Sequence, residues 1–593
     1  MKIKEQNINK WLIGLLAISA VVRAVLAAWM EFGNDEVYYW TYALYPDWSH
    51  FDHPPMVGWV IQLFSLNLLF DSEFFIRLAS VVFMTADTYI IYRIGKDLKD
   101  ATTGFYAALL YTASIYAFVI TGIFIMPDTP LMLFWLLAFW MAIRYYSGLP
   151  RFARKDAKRL QTESAENNDA LCVIARRNDE AIQDNRYLVL FGLFSGLAML
   201  SKYSGVFLWV GMGLYILIFN RKQLKNPYLY LSMLISAICC IPILYWNLKY
   251  NFISFSFHGE RVGGSTINFS TFGTELAGEF FYNNPVNFVL AIIAVIAVLK
   301  GKNNKAASHR FASDFEGMSY RPRNEGEYLC LQNPRNDMEG KTAQRLILCI
   351  ALPMIALFWF FSLTRPTLPH WNAPAYVLLI LLSACYLREK HEQLSKSIIA
   401  ALSVLVITLV VGVAEIKTGF IPLDKHTEPE MLGRDDFTLD MYGWRQLGEK
   451  FADFRAEKIA EGVMNEEDGI VANQWFPLAN LDYYVARPLG MRVMGLGWPE
   501  FLHKYLWIND KRGGFHLGEN YWFLSDSRYP KDPKTTYQWF FKEIEQVGVI
   551  EIERCGKPAK NFYVYTCKDL CAQPPTLQQF MDESDEIDTT SRQ

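Results

Sequence analysis

Residues 33–59, GNDEVYYWTYALYPDWSHFDHPPMVGW, gather four carboxylates (Asp35, Glu36, Asp47, Asp52) and two histidines (His50, His53), with no Lys or Arg. Acids and imidazoles at this density suit proton transfer. The interleaved rings of Tyr38, Tyr39, Trp40, Trp48 and Trp59 suit a site between water and lipid. Local structure accounts for part of the pattern: Asn34 or Asp35 can cap a short helix through residues 37–40, with Glu36 favourable at its positive end. His50, Asp52 and His53 then follow in the same loop, and Pro54-Pro55 stiffens the chain before the apolar segment 56–70. The donors of Asp35, His50, Asp52 and His53 admit a divalent metal, but no ligand spacing demands one.

Groups of complementary charge lie far along the chain. Asp128, within Met126-Pro127-Asp128-Thr129-Pro130, reads both as the cap of a following helix and as a second acid. Lys202, in Leu200-Ser201-Lys202-Tyr203-Ser204, stands between apolar runs, where an ammonium either snorkels or needs a carboxylate or phosphate. Arg261 follows His258 and Glu260, and Arg365 with His370 in a proline-rich turn forms a candidate phosphate clamp.

The elements that position these residues follow from the apolar pattern. The 593 residues are 52% hydrophobic, 15% aromatic and 20% charged, which points to a chain largely in lipid. The formal net charge of -3 and the lack of a basic tract give no sign of nucleic acid as a partner. Continuous apolar runs exclude a lipid-embedded barrel and predict helices. They fall near residues 11–30, 74–94, 104–121, 129–146, 187–201, 204–219, 228–249, 286–299, 346–363, 374–387 and 397–416, about eleven spans and up to about thirteen. The first reads as an uncleaved helix, because Ala27, Ala28 and Trp29 make a poor cleavage site and further spans follow.

Lys and Arg mark one side of the membrane. Residues 144–186 and 300–345 each hold nine basic residues, whereas 31–73 and 122–128 hold none and 251–285 and 364–373 one each. The alternation places the N-terminus in the cytoplasm if 187–219 is a hairpin turning near Lys202. It then sends Asp35, Asp128, Lys202, Arg261, Arg365, His370 and everything after residue 416 to the outer side. The polar stretches 149–185 and 301–344 read as cytoplasmic insertions. Residues 417–593 read as a soluble α/β or α+β domain on the outer face, with a helix over 444–456, a strand over 469–472 and a hairpin of 547–553 with 561–566 around residues 556–558. Cys555 and Cys567 flank that hairpin, so an oxidising compartment invites a disulfide between them.

Taken together, Asn34-Asp35-Glu36 with Tyr38-Tyr39-Trp40, Phe51-Asp52-His53-Pro54-Pro55, Met126-Pro127-Asp128-Thr129-Pro130, Leu200-Ser201-Lys202-Tyr203-Ser204 and His370-Trp371-Asn372-Ala373-Pro374 resemble motifs of the dolichyl-phosphate-mannose protein mannosyltransferase superfamily. The resemblance covers roughly the first 420 residues, and its bacterial branch includes the 4-amino-4-deoxy-L-arabinose lipid A transferase. It implies a GT-C fold over residues 1–416 and transfer, with inversion, of a sugar from a polyprenyl-phosphate carrier on the outer face of a bacterial inner membrane. The acceptor would be lipid A or another envelope glycan or lipid, with protein Ser/Thr as second choice. The proposed catalytic base of the family maps onto Asp35, beside Glu36. The lipid A transferase has Lys before its Pro-Pro, where this chain has His53. A neutral imidazole donates one hydrogen bond in place of full charge, which leaves the carrier phosphate's ligand open.

The chemistry asks for these types independently of the resemblance. Expelling a lipid phosphate from a sugar C1 needs cations, for which Lys202, Arg261 and Arg365 are candidates with His53 and His370. A hydroxyl acceptor needs a base, whereas a phosphate acceptor is already a nucleophile. Asp52, Asp128 and Tyr203 complete the expected substrate-binding set. Two rival readings are a transporter or flippase of lipid-linked sugars, which predicts charges at the membrane midplane and broken helices in paired halves, and a sensor, which predicts a first outer loop tolerant of mutation.

Overall fold

The computed structural model describes residues 5–147, 184–260, 267–301, 335–391 and 393–580. The expectations for the insertions at 149–185 and 301–344 fall mostly on residues 148–183 and 302–334, outside the described residues.

Every apolar run named above is helical. By length and composition, four described helices can cross a membrane: Ile8–Trp29, Glu73–Leu98, Gly340–Ser362 and Lys396–Thr418. Two bent pairs raise this to six, Pro227–Cys239 with Ile241–Lys249 at 44° and Phe269–Tyr282 with Pro285–Leu299 at 102°. That is fewer than the about eleven expected, because several runs fall short of the roughly 20 residues a crossing takes. Asn185–Ser201 and Tyr203–Phe219 are apolar but short, and Ala101–Ala113 breaks before a π-helical turn at Tyr116–Ile120.

Between the first two long helices the chain forms helix Asn34–Leu44, then helix Met56–Phe64 packed against it. The packing is close enough that a Cβ at Gly58 would sit 2.7 Å from Tyr42 Cβ. A second close approach shapes the Lys202 turn, where a Cβ at Gly205 would meet the Ala198 backbone at 2.5 Å. Glycine there lets the chain double back directly after Ser201.

Beyond Thr418 the chain forms a five-stranded sheet with β1 Gly469–Ala472, β2 Val493–Gly495, β3 Tyr521–Asp526, β4 Phe541–Arg554 and β5 Lys557–Leu570, in the order β2-β1-β3-β5-β4. β1 runs parallel to β2 and β3, and β5 is antiparallel to β3 and β4. Helix Trp444–Ala460 buries Trp444, Leu447 and Phe451, one side of its amphipathic pattern.

The hairpin is longer than its sequence suggested. β4 and β5 each span 14 residues and turn tightly at Cys555 and Gly556, both at positive φ, as a two-residue hairpin requires. Cys567 pairs with Ile544 far up the ladder, about 30 Å from the turn at the usual rise per residue. The expected Cys555–Cys567 disulfide is therefore excluded, and both thiols are free.

The sheet domain grips the first interhelical segment. Trp444 N–H donates to Glu31 Oε2 at 2.8 Å, Phe32 N–H to Tyr484 OH at 2.7 Å, and Asn480 Nδ2 to Asn34 Oδ1 at 3.1 Å. At the other end of helix Asn34–Leu44, the buried Lys504 side-chain nitrogen donates to the carbonyls of Thr41 and Tyr45 at 2.8 and 2.6 Å. These bonds satisfy two carbonyls that the helix end leaves without an internal partner. Arg445–Glu73 and Arg487–Asp71, each 2.6 Å, extend the seam.

Candidate active site

The site begins with how helix Asn34–Leu44 starts. Its cap is Gly33, in place of the expected Asn34 or Asp35, and Glu36 reaches back to accept from Gly33 N–H at 2.9 Å. Glu36 is fully engaged elsewhere too: its oxygens take Arg77 Nε at 2.7 Å, Arg77 Nη2 at 2.6 Å and the N–H of Ile125 at 3.0 Å. The expectation that Glu36 shares the chemistry is corrected accordingly. It is a buried tether that fixes the helix start, and it does not line the cavity.

Relieved of capping, Asp35 projects into a cavity of about 860 Å³. Its carboxylate has no hydrogen bond to any described residue, and its side chain is open to the cavity although protein surrounds it. Burial, then the charges of Asp52, Glu36 and Asp440, push its pKa up to about 6, against the pull of Lys202. An acid poised near neutrality is a competent base.

The cavity unites residues scattered through the sequence: Asp35, Tyr39, Asp52, His53, Asp128, Lys202, Tyr203 and His370 all line it. Lys202 Nζ donates to Asp128 Oδ2 at 2.7 Å, and Tyr116 OH, from the π-helical turn, donates to Oδ1 at 2.8 Å. Lys202 thus meets the need for a carboxylate, and Asp128 opens helix Asp128–Ser147 with its side chain turned to the cavity. Asp52 Oδ1 accepts from the hydroxyls of Tyr38, at 2.9 Å, and Tyr42. Tyr203 OH pairs with Ser254 Oγ at 2.9 Å. Burial lowers His53 to about 3 and His370 to about 4, with Lys202 adding to both shifts, so both rings are neutral near pH 7.

The remaining expectations separate. Arg365 is half-buried and is not among the residues that line the cavity; Thr367, Leu368, His370 and Trp371 of that turn are. Arg261 lies outside the described residues. His50 packs at a tilt against Tyr42, ring centroids 3.7 Å apart, away from the lining. The ligand atoms of Asp35, His50, Asp52 and His53 do not converge as a metal site; among the described residues the converging set is Asp424, His426 and Asp435 in the C-terminal domain.

The sequence reading missed one wall altogether. Gln474, Trp475, Phe476, Glu500, Phe501 and His503 of the sheet domain line the same cavity. Trp475 stacks on His503, centroids 5.6 Å apart, and Tyr38 packs on both. Phe207, Phe255, Phe358, Phe361 and Leu368 line an apolar side near the ends of membrane-type helices.

Fold and site together define a multi-pass helical membrane protein with an α/β domain closing a charged cavity at one end of its helices. The sequence pattern of the family described as dolichyl-phosphate-mannose-protein mannosyltransferase matches residues 52–148 and 178–246. A lipid A galacturonosyltransferase, RgtD of Rhizobium johnstonii, is 21% identical over 286 residues, 46% of this chain and 51% of the relative; the match spans about half that protein's length. The structure of ArnT from Cupriavidus metallidurans bound to undecaprenyl phosphate aligns over 94% of this chain and 98% of that one, with TM-score 0.51 and 14% identity. Its apo form gives TM-score 0.51 at 15% identity. The chain thus has the GT-C fold, and its likeness is to the protein mannosyltransferase superfamily on the bacterial, ArnT-like branch.

Proposed function

We propose that the chain is a polyprenyl-phosphate-sugar-dependent glycosyltransferase. Residues 1–416 form its membrane catalytic domain and residues 417–593 an outer, periplasmic domain, with the N-terminus in the cytoplasm of a bacterial inner membrane. The observation that carries the reading is the pairing, inside one cavity, of an uncommitted acid with a pKa near 6, Asp35, and a buried ammonium, Lys202. Lys202 holds the carrier phosphate as it departs, and neutral His53 and His370 supply hydrogen bonds beside it. The apolar wall of Phe207, Phe358 and Phe361 suits a prenyl chain entering from the membrane. ArnT in complex with undecaprenyl phosphate supports a lipid-phosphate carrier, and the lipid A transferase relative supports an envelope acceptor.

The transporter reading fares less well. The cavity's charges stand in loops and at helix starts toward the sheet domain, away from the middle of the long helices.

The test is transfer of radiolabelled sugar by the purified full chain in proteoliposomes. Wild type moves label from a polyprenyl-phosphate sugar to an envelope acceptor, and Lys202→Ala loses most of that activity. Label that never leaves the carrier, with any sugar or acceptor offered, would rule the proposal out.

A further inference from the structure

Resting on that reading, we infer that the group glycosylated is an uncharged sugar hydroxyl of a glycan acceptor, held on the sheet-domain wall by Glu500 and Gln474. Neither side chain has a hydrogen-bond partner among the described residues, yet both face the cavity beside Trp475 and Phe501. Glu500 sits on the short helix Pro499–Leu502, flanked by the exposed rings of Trp498 and Phe501. Acceptor atoms beside open aromatic faces match a carbohydrate, whose hydroxyls donate and whose C–H faces stack.

Charge decides between a hydroxyl and a phosphate. Among the described lining residues the carboxylates are Asp35, Asp52, Asp128 and Glu500, and the formal cation is Lys202, already paired with Asp128 and needed by the carrier phosphate. A second phosphate brought to Asp35 would meet like charge from Asp35, Asp52 and Glu500. A hydroxyl meets the complementary arrangement, and it is the acceptor that requires a base. The acceptor oxygen attacks the sugar C1 as its proton passes to Asp35. The new C1–O bond forms while the C1–O bond to the carrier breaks, and polyprenyl phosphate leaves with the bonding pair.

The experiment offers the full chain a polyprenyl-phosphate sugar and three acceptors: lipid A, lipid A stripped of its phosphates, and a Ser/Thr peptide. The inference predicts label on the stripped glycan in a glycoside stable to mild acid, and an acceptor KM raised about tenfold by Glu500→Gln with a much smaller change in donor KM. Acid-labile label found only on phosphorylated lipid A, or label found only on the peptide, would overturn it while leaving the transferase reading intact. An unchanged acceptor KM in Glu500→Gln would remove the wall from recognition. Label that leaves the carrier for none of these acceptors, nor for water, would overturn the transferase reading and this inference with it.

Discussion

Lys202 Nζ lies 2.7 Å from Asp128 Oδ2, joining residues 74 positions apart and both nearly inaccessible to solvent. Ions so placed are stable only as a pair, and an ammonium with its charge half-answered is ready to take a further anion.

Removing one partner strands the other. Lys202→Ala should lower the thermal midpoint in detergent by the equivalent of about 3–5 kcal/mol, whereas Lys202→Met combined with Asp128→Asn should recover much of that loss without recovering transfer. Equal midpoints for the single and double variants would show that the pair is not the stabilising unit.

Asp35 titrates near 6, and a base works only when ionised, so its raised pKa leaves it protonated and idle in acid. Transfer should therefore rise with pH through about 6 and level off above it. A pH–rate profile flat from about 5 to 8 would assign the proton to another group.

Glu36 separates the roles of adjacent acids. Because Glu36 ties Arg77 and the helix start, Glu36→Gln should cost stability and rate yet keep the acid limb of the pH profile, which Asp35→Asn abolishes. Loss of that limb in Glu36→Gln would restore Glu36 to the chemistry.

His53, held to about 3 by burial and by Lys202, is neutral at working pH and offers hydrogen bonds only. His53→Gln should keep transfer within about tenfold of wild type, and His53→Ala should lose more, chiefly in donor KM. A His53→Gln variant as inactive as Lys202→Ala would show that imidazolium charge matters.

How much of this could be read beforehand depends on the range of the signal. Apolar periodicity and the bias of Lys and Arg are local, and they placed the helices and sorted Asp35, Asp128, Lys202, Arg261, Arg365 and His370 onto one side. Asp35, Asp128, Lys202 and His370 do share a cavity, with Asp52, His53 and Tyr203 beside them, whereas Arg365 is not in its lining and Arg261 lies outside the described residues. Which acid is tethered is not local: Asp35 and Glu36 are neighbours, and only Arg77 on a later helix decides between them. The sheet-domain wall was hidden for the same reason, since Gln474 and Glu500 come to share a cavity with Asp35 through folding alone. The aromatic-polar runs Gln474-Trp475-Phe476 and Trp498-Pro499-Glu500-Phe501 were the available signal. Cys555 and Cys567 misled because their spacing says nothing of strand length; a two-residue turn with long strands carries them far apart.

The central claim is that Asp35 takes the acceptor's proton while Lys202 holds the carrier phosphate. Single-turnover transfer from a polyprenyl-phosphate sugar, with donor binding measured on the same proteoliposomes, tests it most directly. Asp35→Asn should bind donor nearly as wild type does and transfer at least about 100-fold more slowly. Transfer by Asp35→Asn at the wild-type rate would contradict the account.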